Sequence, residues 1–101
     1  MVEDKLPQTL DEVREAIDGL DKELIELLAR RQKLVRQAGR LKPKNDAQAV
    51  SAPERVAQVI ASRRAYAEKI GLSSEVAEAV WHSMIDAFIK LEMETNRVGG
   101  A

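Results

Sequence analysis

From Leu10 to Leu41 apolar side chains recur at steps of three and four: Leu10, Val13, Ile17, Leu20, Leu24, Leu27, Leu34, Ala38 and Leu41. That spacing is one face of a single long helix. One step of the seam is broken, because Arg31 stands between Leu27 and Leu34 where another apolar residue is due. A guanidinium stays protonated in proteins, and burying it without an anion costs several kcal/mol. Arg31 therefore either snorkels out of the seam or meets an anion there. An anion supplied by a ligand makes this helix part of a binding site.

The rest of the chain divides at its turn residues. Thr9 is a plausible N-cap, with Asp11 and Glu12 in the first turn where the helix dipole favours negative charge. Pro43 ends the long helix, because the residue before a proline avoids the helical region. Residues 43–51 hold no periodic pattern and read as a mobile loop. Ser51 and Glu54 have capping-box spacing, and Pro53 suits a first helical turn. A second helix then runs to Ile70 and stops at Gly71, a residue suited to a left-handed C′ position. Ser73 or Ser74 opens a third, which runs to Arg97. No segment alternates as a strand does, so the class is all-α, with helices at about 9–42, 52–70 and 73–97.

The 101 residues suffice for one small domain, 1–101. Lys and Arg total 16 against 17 Asp and Glu, which argues against a general nucleic-acid binder. There is no cysteine, and the single His82 cannot build a metal site alone. No apolar run reaches membrane-spanning length and the N-terminus is acidic and polar, so a cytoplasmic protein is expected.

Length also bears on assembly. At about 1.5 Å per residue the first helix is on the order of 50 Å long, and the others are about half that. Two short helices cannot cover its seam in a compact monomer, and soluble monomers avoid large apolar strips in water. A two-fold homodimer with the long helices antiparallel is the simplest remedy.

Arg31 and Lys42 lie three turns apart on nearly the same face, roughly 17 Å apart at the backbone, with long side chains able to converge on one small dianion. Arg14 is about 25 Å from Arg31 along the axis and faces elsewhere. It cannot serve the same ligand within one chain, but in an antiparallel dimer it can complete the partner's site. On the third helix Glu92 continues the apolar stripe of Met84, Ile85 and Phe88. A carboxyl group facing a core is costly unless paired or protonated. Each residue also has an ordinary reading. Arg14 can pair with Asp18 on the surface, Lys42 is a cation at a helix C-terminus, Glu54 is a cap, and Glu92 can pair with Arg97. Trp81 and Met84 read as core. Residue chemistry alone thus points to a helical dimer with a possible small-anion site.

The run Val13-Arg14-Glu15-Ala16-Ile17-Asp18-Gly19-Leu20-Asp21, followed by Leu24-Ile25-Glu26-Leu27-Leu28-Ala29-Arg30-Arg31 and Gly39-Arg40-Leu41-Lys42, closely resembles the all-helical chorismate mutase family. The resemblance spans nearly the whole chain. The segment Ala52-Pro53-Glu54-Arg55-Val56 looks most like the branch containing isochorismate pyruvate lyases. The resemblance implies an intertwined homodimer with two shared sites, no cofactor and no metal. It implies that Arg14 from the partner chain and Arg31 hold the substrate's two carboxylates. Lys42 and Glu92 would contact the ether oxygen of the breaking bond, the latter position being Gln in many members and Glu in some. Glu54 would meet the ring hydroxyl region, and Phe88 and Ile89 would line the substrate. The chain departs from the pattern at Pro53, often Arg in bacterial mutases, and at Phe88, where some mutases carry serine. A loop acid has no clear match, although Asp46 is near.

The implied activity is the rearrangement of chorismate to prephenate. The alternative is elimination of pyruvate from isochorismate to give salicylate, which asks for the same bent, anchored dianion and a cation at the same oxygen. A helical adaptor dimer without chemistry is the alternative of another class.

Overall fold

A computed structural model describes residues 6–98 of the chain. They form four helices in chain order: α1 (Leu10–Leu41), α2 (Ala47–Ser51), α3 (Pro53–Ile70) and α4 (Ser74–Arg97). No strand occurs among the described residues. Contacts along the chain divide into two compact units, one ending at Lys33 and one beginning at Leu34. The first unit's helical part is a stretch of α1 alone, while every other helix lies in the second.

Local chemistry sets the helix ends. At the start of α1 the Thr9 hydroxyl accepts the Glu12 N–H at 3.1 Å, and the Glu12 carboxylate accepts the Thr9 N–H at 3.1 Å. This reciprocal capping box satisfies N–H groups that the first helical turn leaves open. α3 ends at Gly71, whose φ of 84° is left-handed. There the Leu72 N–H reaches the Ala67 carbonyl at 2.9 Å and the Gly71 N–H reaches Glu68 at 3.4 Å, a Schellman closure. Ser73 caps α4 by accepting the Val76 N–H at 3.3 Å.

The segment 43–51, read as a mobile loop for its lack of periodicity, is helical in part. It contains α2, a helix of 5 residues, too short to display a period. Asp46 is its N-cap and accepts the Ala49 N–H at 3.0 Å. Val50 of α2 is buried, 2 % exposed. The Ser51–Glu54 capping box does not form: Ser51 ends α2 and its hydroxyl donates to the Gln48 carbonyl at 3.3 Å. The N-cap of α3 is Ala52, left-handed at φ 37°, with no side-chain bond to the helix. A turn of α2 therefore takes up the residue that the spacing assigned to α3.

In the second unit Val59, Ile60 and Ile85 form a buried cluster against which Val56, Trp81 and Ile89 pack. It joins α3 to α4. Ala67 and Ala77, each 2 % exposed, let the two helices approach near the Gly71 turn. The apolar residues of α1 are not part of this core. In the first unit Leu10, Ile17, Leu20, Leu24, Ile25 and Leu27 are all exposed, Leu20 at 59 %. No described helix is long and apolar enough to cross a membrane.

With so small a core, each buried side chain carries a large share of the stability. Ile85→Ala is expected to cost about 2–5 kcal/mol, from lost transfer energy and the cavity left behind. Denaturant unfolding at fixed protein concentration reads this, and a loss below about 1 kcal/mol would contradict the burial described.

Candidate active site

In the second unit, the end of α1 meets α4 around Gly39. A Cβ on Gly39 would lie 3.0 Å from Glu92 Cγ, 3.2 Å from the Glu92 carbonyl oxygen and 3.7 Å from the Asn96 nitrogen. Only a residue without a side chain lets the two backbones come this close. The approach places Lys42, three residues on, beside Glu92. Its Nζ donates to Glu92 Oε2 at 2.6 Å, a short charge-assisted bond.

The two partners differ in burial. The Glu92 side chain is 9 % exposed and that of Lys42 is 29 % exposed. The carboxylate is thus enclosed and neutralised from one side, while the ammonium remains reachable. An ammonium has three N–H donors, and Glu92 takes one. The site can therefore offer positive charge and hydrogen bonds to an entering anion. Glu92 does not use Arg97 as its counter-ion, one of its ordinary readings. Arg97 instead bonds Glu94 at 2.6 Å on the outer face of α4.

A third residue completes this corner and carries no motif. Asn96 is one turn beyond Glu92 on α4 and is 2 % exposed. Its amide nitrogen donates to the Gly39 carbonyl at 2.8 Å and to the Pro43 carbonyl at 3.0 Å. Its side-chain oxygen accepts the Asp46 N–H at 2.8 Å. Asp46 is thereby held at the start of α2, where its carboxylate serves as a cap. The detectable sequence signal for Asn96 is its four-residue spacing from Glu92, which extends the same face of α4.

The other expected site residues are distributed as follows. Arg14 is exposed on α1 and Arg31 is half-buried on the same helix. Glu54 is exposed in the first turn of α3. Phe88 and Ile89 are half-buried on α4, and Ile89 packs on the Val59–Ile60–Ile85 cluster. Trp81 packs there too and Met84 is half-buried. His82 is exposed, with its Nε2 3.7 Å from the Glu78 carboxylate, which also pairs with Arg64. Among the described residues no group of three or more His, Cys, Asp or Glu side chains is arranged to hold a metal ion.

The profile of the family described as chorismate mutase type II matches residues 13–93. A T-protein of Haemophilus influenzae is 41 % identical over 73 residues, which cover 72 % of this chain and 19 % of that protein. The isochorismate pyruvate lyase of Pseudomonas aeruginosa is 36 % identical over 80 residues, covering 79 % of this chain and 77 % of the lyase. A T-protein of Enterobacter agglomerans is 39 % identical over 71 residues, 70 % of this chain and 19 % of the relative. The chain thus spans about a fifth of the T-proteins and about three quarters of the lyase.

The contact at Gly39 has a sign that can be measured. In an ordinary helix interior Gly→Ala stabilises by about 0.5–1 kcal/mol. Here the new methyl meets the backbone of α4, so Gly39→Ala is expected to destabilise by about 1–3 kcal/mol. A higher unfolding midpoint in the variant would contradict the close approach.

Proposed function

The chain belongs to the chorismate mutase type II family, and on that footing we propose that it catalyses the rearrangement of chorismate to prephenate. Members of this family are enzymes, chorismate mutases or the related isochorismate pyruvate lyases. The observation that carries the reading is the Lys42–Glu92 pair, an accessible ammonium held at 2.6 Å by an enclosed carboxylate. The reaction is pericyclic. It calls for a flexible dianion held in its compact conformer and for positive charge where negative charge builds on the ether oxygen. Arg14 and Arg31 supply the anchors, since paired guanidinium–carboxylate bonds fix angle as well as distance. Lys42 supplies the fixed cation at the developing oxyanion. Glu92 orients that cation and lies beside the same oxygen. Glu54 meets the ring hydroxyl, and Phe88 and Ile89 give the ring an apolar wall.

The second reading, elimination of pyruvate from isochorismate, is favoured by one observation. The chain covers 77 % of the Pseudomonas lyase, so the likeness extends over most of that enzyme. The same three cations serve it. A helical adaptor with no chemistry is the reading left if neither substrate is consumed.

We infer a homodimer from the exposed apolar residues of α1. Fully burying one leucine is worth about 1.5–3 kcal/mol, and Leu20, Leu24 and Leu27 are more than half exposed. A second copy of the chain, its long helix antiparallel to the first, would cover them. It would also bring Arg14 of one subunit to Arg31 and Lys42 of the other. The proposed location is the cytoplasm.

Purified protein incubated separately with chorismate and with isochorismate tests the activity. Prephenate from the first is the expected product; salicylate from the second, with chorismate untouched, would establish the lyase reading. On the substrate that is turned over, Lys42→Ala is expected to lose on the order of 3 kcal/mol in transition-state stabilisation, about a hundredfold in rate. Turnover within threefold of wild type would remove Lys42 from the chemistry.

Site sharing is tested by complementation. Arg14→Ala and Arg31→Ala homodimers should each be nearly inactive. A heterodimer has one doubly damaged site and one intact site. Refolding an equal mixture should restore roughly a quarter of wild-type activity if subunits associate at random. Heterodimers that form and yet show no activity would contradict shared sites.

A further inference from the structure

We propose that Asn96 is a positioning residue for Lys42, acting on the backbone while Glu92 acts on the ammonium; the proposal rests on the role assigned to Lys42 above. Lys42 lies just past the end of α1, where a chain normally frays. Its own N–H still bonds the Ala38 carbonyl at 3.1 Å, but the next residue is a proline, which has no N–H to continue the ladder. The last carbonyls of α1 therefore need donors from elsewhere. Asn96 supplies them on both sides of Lys42: the Gly39 carbonyl at 2.8 Å before it and the Pro43 carbonyl at 3.0 Å after it.

The side chain that does this has both of its donors committed. Both amide N–H groups are given to carbonyls, and the oxygen takes the Asp46 N–H at 2.8 Å. That pattern also fixes which end of the amide is nitrogen, since two carbonyls cannot face an oxygen. The Asn96 main chain adds a fourth bond, its carbonyl accepting the Asn45 N–H at 3.3 Å, with Asn45 left-handed at φ 56°. One buried residue thus ties the end of α1, the turn and the start of α2 to α4.

Glu92 and Asn96 are one turn apart on the same face of α4. The helix thereby sets Lys42 twice, its backbone from Asn96 and its Nζ from Glu92. No other residue type of this size offers two donors and an acceptor. Aspartate would turn two attractive contacts with carbonyls into repulsive ones, and leucine would leave three backbone groups unsatisfied.

The substrate's carboxylates are anchored by Arg14 and Arg31 in the proposed mechanism, not by Asn96. Loss of Asn96 should therefore appear in kcat and not in KM. The test compares wild type, Asn96→Ala, Lys42→Ala and the double variant, with Asn96→Asp as a second probe that keeps the volume and the oxygen but loses both donors. Asn96→Ala is expected to lose about tenfold or more in kcat with KM within about threefold. In the Lys42→Ala background the same change should cost less than about threefold, because the group being positioned is gone. Native-state hydrogen exchange gives a readout independent of turnover: the Lys42 and Asp46 amides should exchange about tenfold faster or more in Asn96→Ala, while Val59 and Ile60 are unchanged. A folded variant with normal kcat overturns the proposal, as does an equal loss with and without Lys42. If neither Asn96 variant folds, Asn96 serves the fold at large and the positioning role is overturned. A wild type inactive on both substrates sinks the proposed function instead, and the exchange at Lys42 then decides by itself whether Asn96 holds that residue.

Discussion

The backbones of α1 and α4 touch at Gly39, and the candidate site follows from that contact. With no Cβ in the way, the last turn of α1 lies against Glu92 and Asn96. Lys42 then falls within 2.6 Å of the Glu92 carboxylate, and the carbonyls on either side of it fall within reach of the Asn96 amide. A bulkier residue at position 39 would separate all three partners together. Charge, hydrogen bonding and helix packing are therefore one arrangement here, built on a residue with no side chain. An enclosed carboxylate gains from this geometry because its counter-ion is delivered by the fold and not by a mobile surface chain.

The distribution of apolar surface gives the two units different characters. The unit beginning at Leu34 has a core, Val59, Ile60 and Ile85 between α3 and α4, that fixes the helix carrying Glu92 and Asn96. The helical part of the unit ending at Lys33 exposes leucine and isoleucine along α1. Hydrocarbon left in water along the first helix is the physical basis for the dimer proposed here, in which folding would be coupled to association. The same coupling would explain why two cations on one helix, Arg14 and Arg31, need not serve the same site in one subunit.

Much of this was legible in the sequence because it is local. The seam of α1, the cap at Thr9 and the stop at Gly71 follow from spacing and backbone preference alone, and the cap of α4 narrows to Ser73 or Ser74, of which the structure uses Ser73. Glu92 stood out as a carboxylate on an apolar stripe, and its cost required a partner. What escaped is what local rules do not encode. α2 is shorter than two helical turns, so no periodicity betrays it, and its cap Asp46 resembles any loop acid. The Ser51–Glu54 spacing was a true capping signature overruled by α2, which claimed Ser51 for its own last turn. Asn96 carries neither charge nor motif. Its role exists only once α1, the turn and α4 are assembled, with Gly39 57 residues away in the chain.

In the proposed mechanism Lys42 acts through its charge on the reacting oxygen and Glu92 serves to aim it. The most direct measurement is the turnover number of Glu92→Gln beside that of Lys42→Gln on the same substrate at neutral pH. Glutamine at position 92 still bonds the ammonium, and its amide donates to an oxygen gaining negative charge where a carboxylate repels it. Turnover at or above wild type is expected for Glu92→Gln, and a loss of about a hundredfold or more for Lys42→Gln. Losses of equal size in both variants would contradict that mechanism, making the pair a brace between α1 and α4 and not the source of catalysis.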